Sequence, residues 1–321
     1  SLSHMRVVVC PDKFAGTLTA IEAAAAIRAG WLRARPHDEV RCLPLADGGP
    51  GFVEVLHANL GGVLHEVRVQ DPLGRPIAAH WLEVAGTAYV EAAQANGLAV
   101  LEPQERDPWV TSSYGVGELI ADAMRFPVVV GLGGSATNDG GRGAVEALAR
   151  QVPGLLIATD VDCPLLGPTG ATYGFARQKG AREQDLPALE QRMADWAAQD
   201  PVLAAAPGAG AAGGLGFGLM LLGGRRVSGI DLVAEAVGLR EACAAADLVI
   251  TGEGKVDWQS LHGKVLSGVR EVSRELVVLA GQVATDEVPA YSLLDFAGDR
   301  AFSDPTGSLA DLAREVGSAW R

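Results

Sequence analysis

The run Val128-Val-Val-Gly131-Leu-Gly133-Gly134-Ser135-Ala136-Thr137-Asn138-Asp139-Gly140-Gly141-Arg142-Gly143 constrains this chain more than any other stretch. Six of its sixteen positions are glycine, interleaved with small hydroxyls, an amide and a carboxylate. Glycine loses more backbone freedom on folding than any other residue, so a loop this rich in it is costly to order without a ligand-facing purpose. A buried β-branched strand feeding such a loop presents consecutive N–H groups and hydroxyls to an anion. The run therefore reads as a phosphate-handling loop at the carboxyl end of a strand.

The same strand–loop–helix rhythm recurs along the chain. Arg6–Cys10 is a β-branched strand bounded by Pro11. The helix expected over 20–33 has Thr19 as N-cap and Glu22 in the capping-box position. A strand over 40–45 runs into Ala46-Asp47-Gly48-Gly49 and then a helix over 52–60. This alternation is the pattern of a parallel sheet covered by helices. Between 65 and 91 the character changes to three closely spaced strands, 65–70, 77–84 and 87–91, with a Pro72-Leu73-Gly74 turn between the first two, an antiparallel meander. Alternation resumes with a helix over 114–124, a strand over 127–132, a helix over 142–150 and a strand over 154–159. Helices near 185–199, 213–222 and 229–245 follow, then strand 248–251, helix 264–273, strand 275–280 and a closing helix over 308–317.

A chain of 321 residues exceeds what one hydrophobic core usually serves. The antiparallel interruption points to an insertion. The expected fold class is α/β with two domains. A discontinuous, flavodoxin-like first domain with a doubly wound, mostly parallel sheet spans 5–66 and 230–321. A second α/β domain over 67–229 is inserted in it and carries the glycine-rich loop.

Formal net charge is -13, which argues against nucleic acid or an anionic membrane surface as partner. No run of about 18 apolar residues suggests a membrane span. The four cysteines, Cys10, Cys42, Cys163 and Cys243, form no CxxC pair and read as free thiols of a reducing compartment, so a cytoplasmic location is expected. Ser1–His4 ahead of Met5 reads as an expression remnant. The sequence is compatible with a monomer or a homodimer.

Polar loops gather at the carboxyl ends of the expected strands, where open α/β sheets place their ligands. Pro11-Asp12-Lys13-Phe14-Ala15-Gly16-Thr17 offers a carboxylate, an ammonium and a hydroxyl ahead of a helix N-terminus. Asp47 stands before Gly48-Gly49, able to bind Mg²⁺ or accept a hydroxyl proton, or simply to form a turn. Asp160 and Asp162, two apart, could share a metal ion. Gln178-Lys179-Gly180, Pro207–Gly214, Thr251-Gly252-Glu253-Gly254-Lys255-Val256-Asp257 and Leu261-His262-Gly263-Lys264 complete the set. Phosphoryl transfer needs this inventory: carboxylates for Mg²⁺, Lys and amides for phosphates, and an Asp to take or orient the hydroxyl proton.

Two nucleotide motifs are argued against. Gly131-x-Gly133-x-x-Ala136 satisfies a loose dinucleotide fingerprint, but Thr137–Gly141 delays the helix that should open there. The next strand-end acid, Asp160, lies 29 positions beyond Gly131, against about 20 in the fingerprint. No GxxxxGK[ST] run exists, so a P-loop is excluded.

Pro11-Asp12-Lys13-Phe14, Ala46-Asp47-Gly48-Gly49, Gly133–Gly141, Asp160-Val161-Asp162, Gln178-Lys179-Gly180, Pro207–Gly214 and Thr251–Gly254 with His262-Gly263-Lys264 occur in this order in the class I glycerate kinases, which the chain resembles over about residues 6–281. The resemblance implies ATP- and Mg²⁺-dependent phosphorylation of D-glycerate, more often to the 2-phosphate than the 3-phosphate, in a cleft between two α/β domains. The resemblance assigns no individual roles; taken with the loop chemistry above, Asp47, Asp160, Asp162 and Lys264 are the catalytic candidates, with Asp160 and Asp162 for Mg²⁺. Asp12, Lys13, Gly133, Gly134, Ser135, Thr137, Asn138, Asp139, Lys179, Glu253, Lys255, Asp257 and His262 become candidates for holding substrate and phosphate. Which carboxylate is the base stays open, as does whether the glycine run holds the nucleotide phosphates, the favoured reading, or the glycerate. The chain departs from the family pattern at Ala15, where a Lys is usual, and at Pro50, where a Glu is usual. Those departures keep a kinase-derived sensor without activity in view, and the Gly131-x-Gly133-x-x-Ala136 match keeps an NAD(P)-dependent oxidoreductase of a small hydroxy acid.

Overall fold

In the computed structural model, which describes residues 4–256 and 264–320, the apolar runs become two sheets with separate cores. The chain divides into two units, one made of residues 1–46 and 233–321 and the other of residues 47–232.

The first unit holds a five-stranded sheet built from β1 (Arg6–Val9), β2 (Glu39–Cys42), β9 (Leu248–Thr251), β11 (Leu276–Ala280) and β13 (Ala290–Ser292). The strands run in the order β13-β11-β9-β1-β2, every neighbouring pair parallel. A short parallel pair, β10 (Lys255–Val256) and β12 (Gln282–Val283), lies beside it in sequence. Val7, Val9, Ile250, Val277 and Leu279 meet Ile27, Trp31 and Leu309 from the helices in one core. Helix α1 (Ala20–Ala34) starts at Thr19, whose hydroxyl accepts the Glu22 amide hydrogen while the Glu22 carboxylate accepts that of Thr19. This is the expected reciprocal cap. Helix α1 packs closely on the C-terminal helix Pro305–Ala319: a Cβ added at Gly30 would lie 1.9 Å from the Ala310 carbonyl oxygen.

The second unit holds a six-stranded sheet of β3 (Val63–Gln70), β4 (Pro76–Val84), β5 (Thr87–Glu91), β6 (Val128–Gly131), β7 (Leu156–Ala158) and β8 (Arg225–Val227), in sequential order. β3, β4 and β5 form the expected antiparallel meander, and β5 through β8 are parallel. Its core joins Trp81, Val90, Val130 and Ile157 to Val116, Leu119 and Ile120 of helix α3 (Tyr114–Ala123) and to Leu215 and Phe217.

Three sequence expectations change. Residues 47–66, assigned above to the first domain, fall in the second unit, as do 230–232. Helix α2 (Phe52–Leu60) belongs there because its Val53 amide donates to Glu91 at the end of β5, 3.1 Å away, and its Phe52 ring meets Tyr89 edge-on at 6.3 Å. The single helix expected over 229–245 is two, Gly229–Ala236 and Leu239–Ala245, parted by Gly238 with φ 67°. β8 and β13 were not anticipated; at three residues each, they are too short to show a period. The four cysteines are free thiols. Among the described residues, no helix is long and apolar enough to cross a membrane.

Candidate functional site

In the second unit the loop after Ala46 is driven against the carboxyl ends of β6 and β7. Gly48 has φ 105°, and a Cβ there would stand 2.3 Å from the Ala158 carbonyl oxygen; a Cβ at Gly131 would stand 2.4 Å from the Gly48 carbonyl. Both sites require glycine, one for its backbone angle and both for backbone-to-backbone contact. Gly133 lies against Gly49 and Gly134 against the Pro50 ring, while Gly229 lies against the Asp47 carbonyl. Asp47, which accepts the Gly49 amide hydrogen at 2.9 Å, is thereby set beside the first glycines of the long loop. At the departure Pro50, the ring lies against Gly134.

Asp160 follows β7 and caps helix α6, which we number after α4 (Arg142–Leu148) and α5 (Ala211–Leu221) and which spans Gly229–Ala236. Its Oδ1 accepts from the Ser228 hydroxyl at 2.7 Å and the Gly229 amide at 3.1 Å, and its Oδ2 from the Ile230 amide at 3.1 Å. Loss of hydration raises its pKa, and the charge of Asp47 adds to that rise against the pull of those hydrogen bonds. The carboxylate acting on Asp160 is therefore Asp47. Asp162, expected as its partner, is exposed.

The rest of the glycine run is built differently from the expectation. Asp139 is engaged by donors of neighbouring helix starts. Its Oδ2 accepts from the Ser113 amide at 2.9 Å, the Ser113 hydroxyl at 2.8 Å and the Gly143 amide at 3.1 Å, and its Oδ1 from the Gly141 amide at 3.1 Å. It ties the starts of α3 and α4 together. Thr137 and Asn138 are buried, bonded to the Asn96 and Thr172 side chains respectively at 3.1 Å. Lys179, expected as a phosphate cation, is 2% exposed and donates to the Ser135 hydroxyl at 2.8 Å and the Thr137 carbonyl at 2.7 Å. Burial lowers its pKa to about 7. Gly213 of α5 closes the far side, with its carbonyl accepting the Gly140 amide at 3.0 Å. Ser135, Thr137, Asn138, Asp139 and Lys179 thus form a scaffold. Within the loop they hold, the amides of Gly133 and Gly134 donate to no protein atom among the described residues.

The first unit carries its own polar cluster at the carboxyl edge of its sheet. The Asp12 amide donates to the Gly252 carbonyl at 2.8 Å, and the Lys13 amide to the Asp12 carboxylate at 2.7 Å. The Thr251 hydroxyl donates to the Cys10 carbonyl at 2.9 Å. Asp12, Lys13, Glu253 and Lys255 therefore share one end of neighbouring strands β1 and β9. Lys264 opens the helix Lys264–Val272. Asp257 and His262 lie outside the described residues.

Magnesium needs one or two carboxylates and takes its remaining ligands from phosphate and water. The lone pairs of Asp160 not taken up by Ser228, Gly229 and Ile230 fit that demand. Among the described residues, no group of three His, Cys, Asp or Glu side chains is placed to form an all-protein cage. Sequence reasoning missed Glu91, Asn96, Ser113, Thr172 and Ser228, which hold the loops. Glu91 ends an apolar run, which reads equally well as a solvated end, and the others stand in no local pattern that marks them.

A family model described as "Glycerate kinase family" matches residues 7–154 and 150–303. The chain is 37% identical over 371 residues to the glycerate 2-kinase of Escherichia coli K12, covering 97% of each chain. It is 43% identical over 349 residues to an uncharacterised protein of Mycobacterium tuberculosis, covering 98% of this chain and 91% of the other. A crystal structure from Salmonella typhimurium LT2, provisionally described as glycerate kinase 2, superposes with a TM-score of 0.78 at 33% identity, covering 99% of this chain and 98% of that one. The ordered loops and a relationship that runs nearly the whole length of the chain place this protein in the glycerate kinase family.

Proposed function

We propose that the chain transfers the γ-phosphoryl group of ATP to a hydroxyl of D-glycerate, with 2-phosphoglycerate as the product. The carrying observation is the seating of Gly48, Gly49 and Pro50, the residues that follow Asp47, against Gly131, Gly133 and Gly134 at the carboxyl end of β6. Asp47 heads that segment, and the amides of Gly133 and Gly134, half-exposed and exposed residues, have no protein acceptor among the described residues. Amides of this kind bind phosphate oxygens, and a carboxylate beside them can take the proton of an attacking hydroxyl. In the reaction the glycerate oxygen forms a bond to the γ-phosphorus, the bond to the bridging oxygen breaks to release ADP, and the hydroxyl proton passes to Asp47. Bound Mg²⁺ would neutralise charge on the phosphates. The 2-position is favoured by the name of the Escherichia coli relative.

The test is an ADP-release assay with ATP, Mg²⁺ and D-glycerate, with the product assigned by phosphorus NMR. The expected result is 2-phosphoglycerate, and no ADP above background would end the proposal. Asp47→Asn should bind ATP and glycerate as the parent does while kcat falls about 10²–10⁴-fold, the range for loss of a general base. Undiminished turnover in that variant would move the base elsewhere.

A further inference from the structure

Helix α2 begins without a cap of its own: Gly51 stands at its N-cap, and no side chain there bonds the open amides. The acceptor comes from a different element. Glu91, the last residue of β5, is 8% exposed, and its Oε1 accepts the Val53 amide hydrogen at 3.1 Å. The amides of Gly51 and Phe52 also act on this carboxylate. The first turn of a helix carries unpaired N–H groups and a partial positive charge, so an ionised carboxylate is held there from outside the helix. The segment that enters this turn is Asp47-Gly48-Gly49-Pro50-Gly51, which has no slack. Its Gly48 carbonyl abuts Gly131, its Gly49 abuts Gly133, and its Pro50 covers Gly134.

We propose that Glu91 is a positioning residue for phosphoryl transfer: by clamping the N-terminus of α2 it fixes where the Asp47 carboxylate stands relative to the Gly133–Gly134 amides. This rests on the function proposed above. The clamp needs the ionised form, because a carboxylic acid loses acceptor capacity and gains an O–H that faces only N–H donors. Burial raises the pKa of Glu91 to about 7, with the three amides pulling it down and the like charge of Glu54 on α2 pushing it up. Opposite it on β6 stands Gly131, which brings no charge. On β4, His80 is paired with Glu66 at 3.3 Å. The clamp is therefore engaged above about pH 7 and released below it.

The sign for stability is the reverse. A carboxyl group whose pKa is raised by folding contributes its stability at low pH and loses it as pH rises through about 7. Replacing Glu91 by Gln removes that loss, so a variant that is catalytically poor should gain stability relative to the parent as pH rises from 5 to 8. A side chain serving stability alone would not part the two in this way.

The experiment compares the parent, Glu91→Gln and Glu91→Asp in the full chain. In the parent, the amide NMR shifts of Gly51, Phe52 and Val53 should titrate with a midpoint near 7, a transition missing in Glu91→Gln. Parent kcat should rise through the same pH, with KM for glycerate changing less than about threefold. Glu91→Gln should lose about tenfold or more in kcat with little change in KM and no limb near pH 7, and Glu91→Asp should recover part of the loss. Parent-like kcat and pH profile in Glu91→Gln, or the same amide titration in parent and variant, would overturn the proposal. If the parent turns over no glycerate, the functional reading fails while the amide titration still decides the clamp. If Glu91→Gln does not fold, the parent titration and Glu91→Asp decide it.

Discussion

Lys179 is the residue whose role changed most between sequence and structure. A lysine beside a glycine in a polar loop reads as a phosphate ligand, yet here its ammonium sits inside the second unit and holds Ser135 and Thr137. Burial lowers its pKa from 10.5 to about 7. The unfolded chain therefore binds a proton between these values that the folded chain does not, and stability rises with pH across that window. The slope reaches up to about 1.4 kcal/mol per pH unit. Lys179→Met should abolish this rise in denaturant midpoints measured from pH 7 to 10. It should also lower stability at pH 9 by about 1–3 kcal/mol, because the Ser135 hydroxyl and Thr137 carbonyl lose a buried donor. A variant with an unchanged pH slope would mean that the ammonium is charged in place.

At the scale of elements, the α1 contact with the C-terminal helix separates local propensity from packing. Gly30 lies inside α1, where alanine would improve helix propensity by about 1 kcal/mol. The Cβ would, however, stand 1.9 Å from the Ala310 carbonyl oxygen, so the two helices would have to move apart and lose burial at Ile27, Leu309 and Ala313. Overpacking of this kind costs about 1–3 kcal/mol or more. Gly30→Ala should therefore lower the melting temperature; an increase would show that the helices slide apart freely. Sequence propensity alone would have forecast the opposite sign. The same contrast runs through the loops. The capping box at Thr19 and Glu22 was legible because both partners lie within four residues, whereas the cap on α2 joins Glu91 to a helix that starts at residue 52, and no local pattern records it.

For the whole molecule, two sheets with two cores make two groups of protected amides. Leu119 is fully buried in the core of the second unit. Leu119→Ala should cost about 2–5 kcal/mol there. It should accelerate hydrogen exchange in β5, β6 and β7 while leaving β1, β9 and β11 at parent rates, as expected when parts of a protein open as separate cooperative units. Equal acceleration in both sheets would show that the chain opens as one unit.

By itself the sequence determined the strand–helix alternation, the antiparallel meander between 65 and 91, the glycine-rich loop after β6 and, through the ordered blocks, the family. These are legible because they rest on period, caps and turn chemistry among residues close along the chain. The tertiary structure decided that residues 47–66 go with the second sheet, that Asp139 and Lys179 build the loop, and that Asp47 acts on Asp160. Each of these depends on backbone approach or burial between distant segments. A carboxylate or an ammonium carries the same symbol in a sequence whether it faces water or is sealed within a packed loop, and its free energy in those two places differs by several kcal/mol.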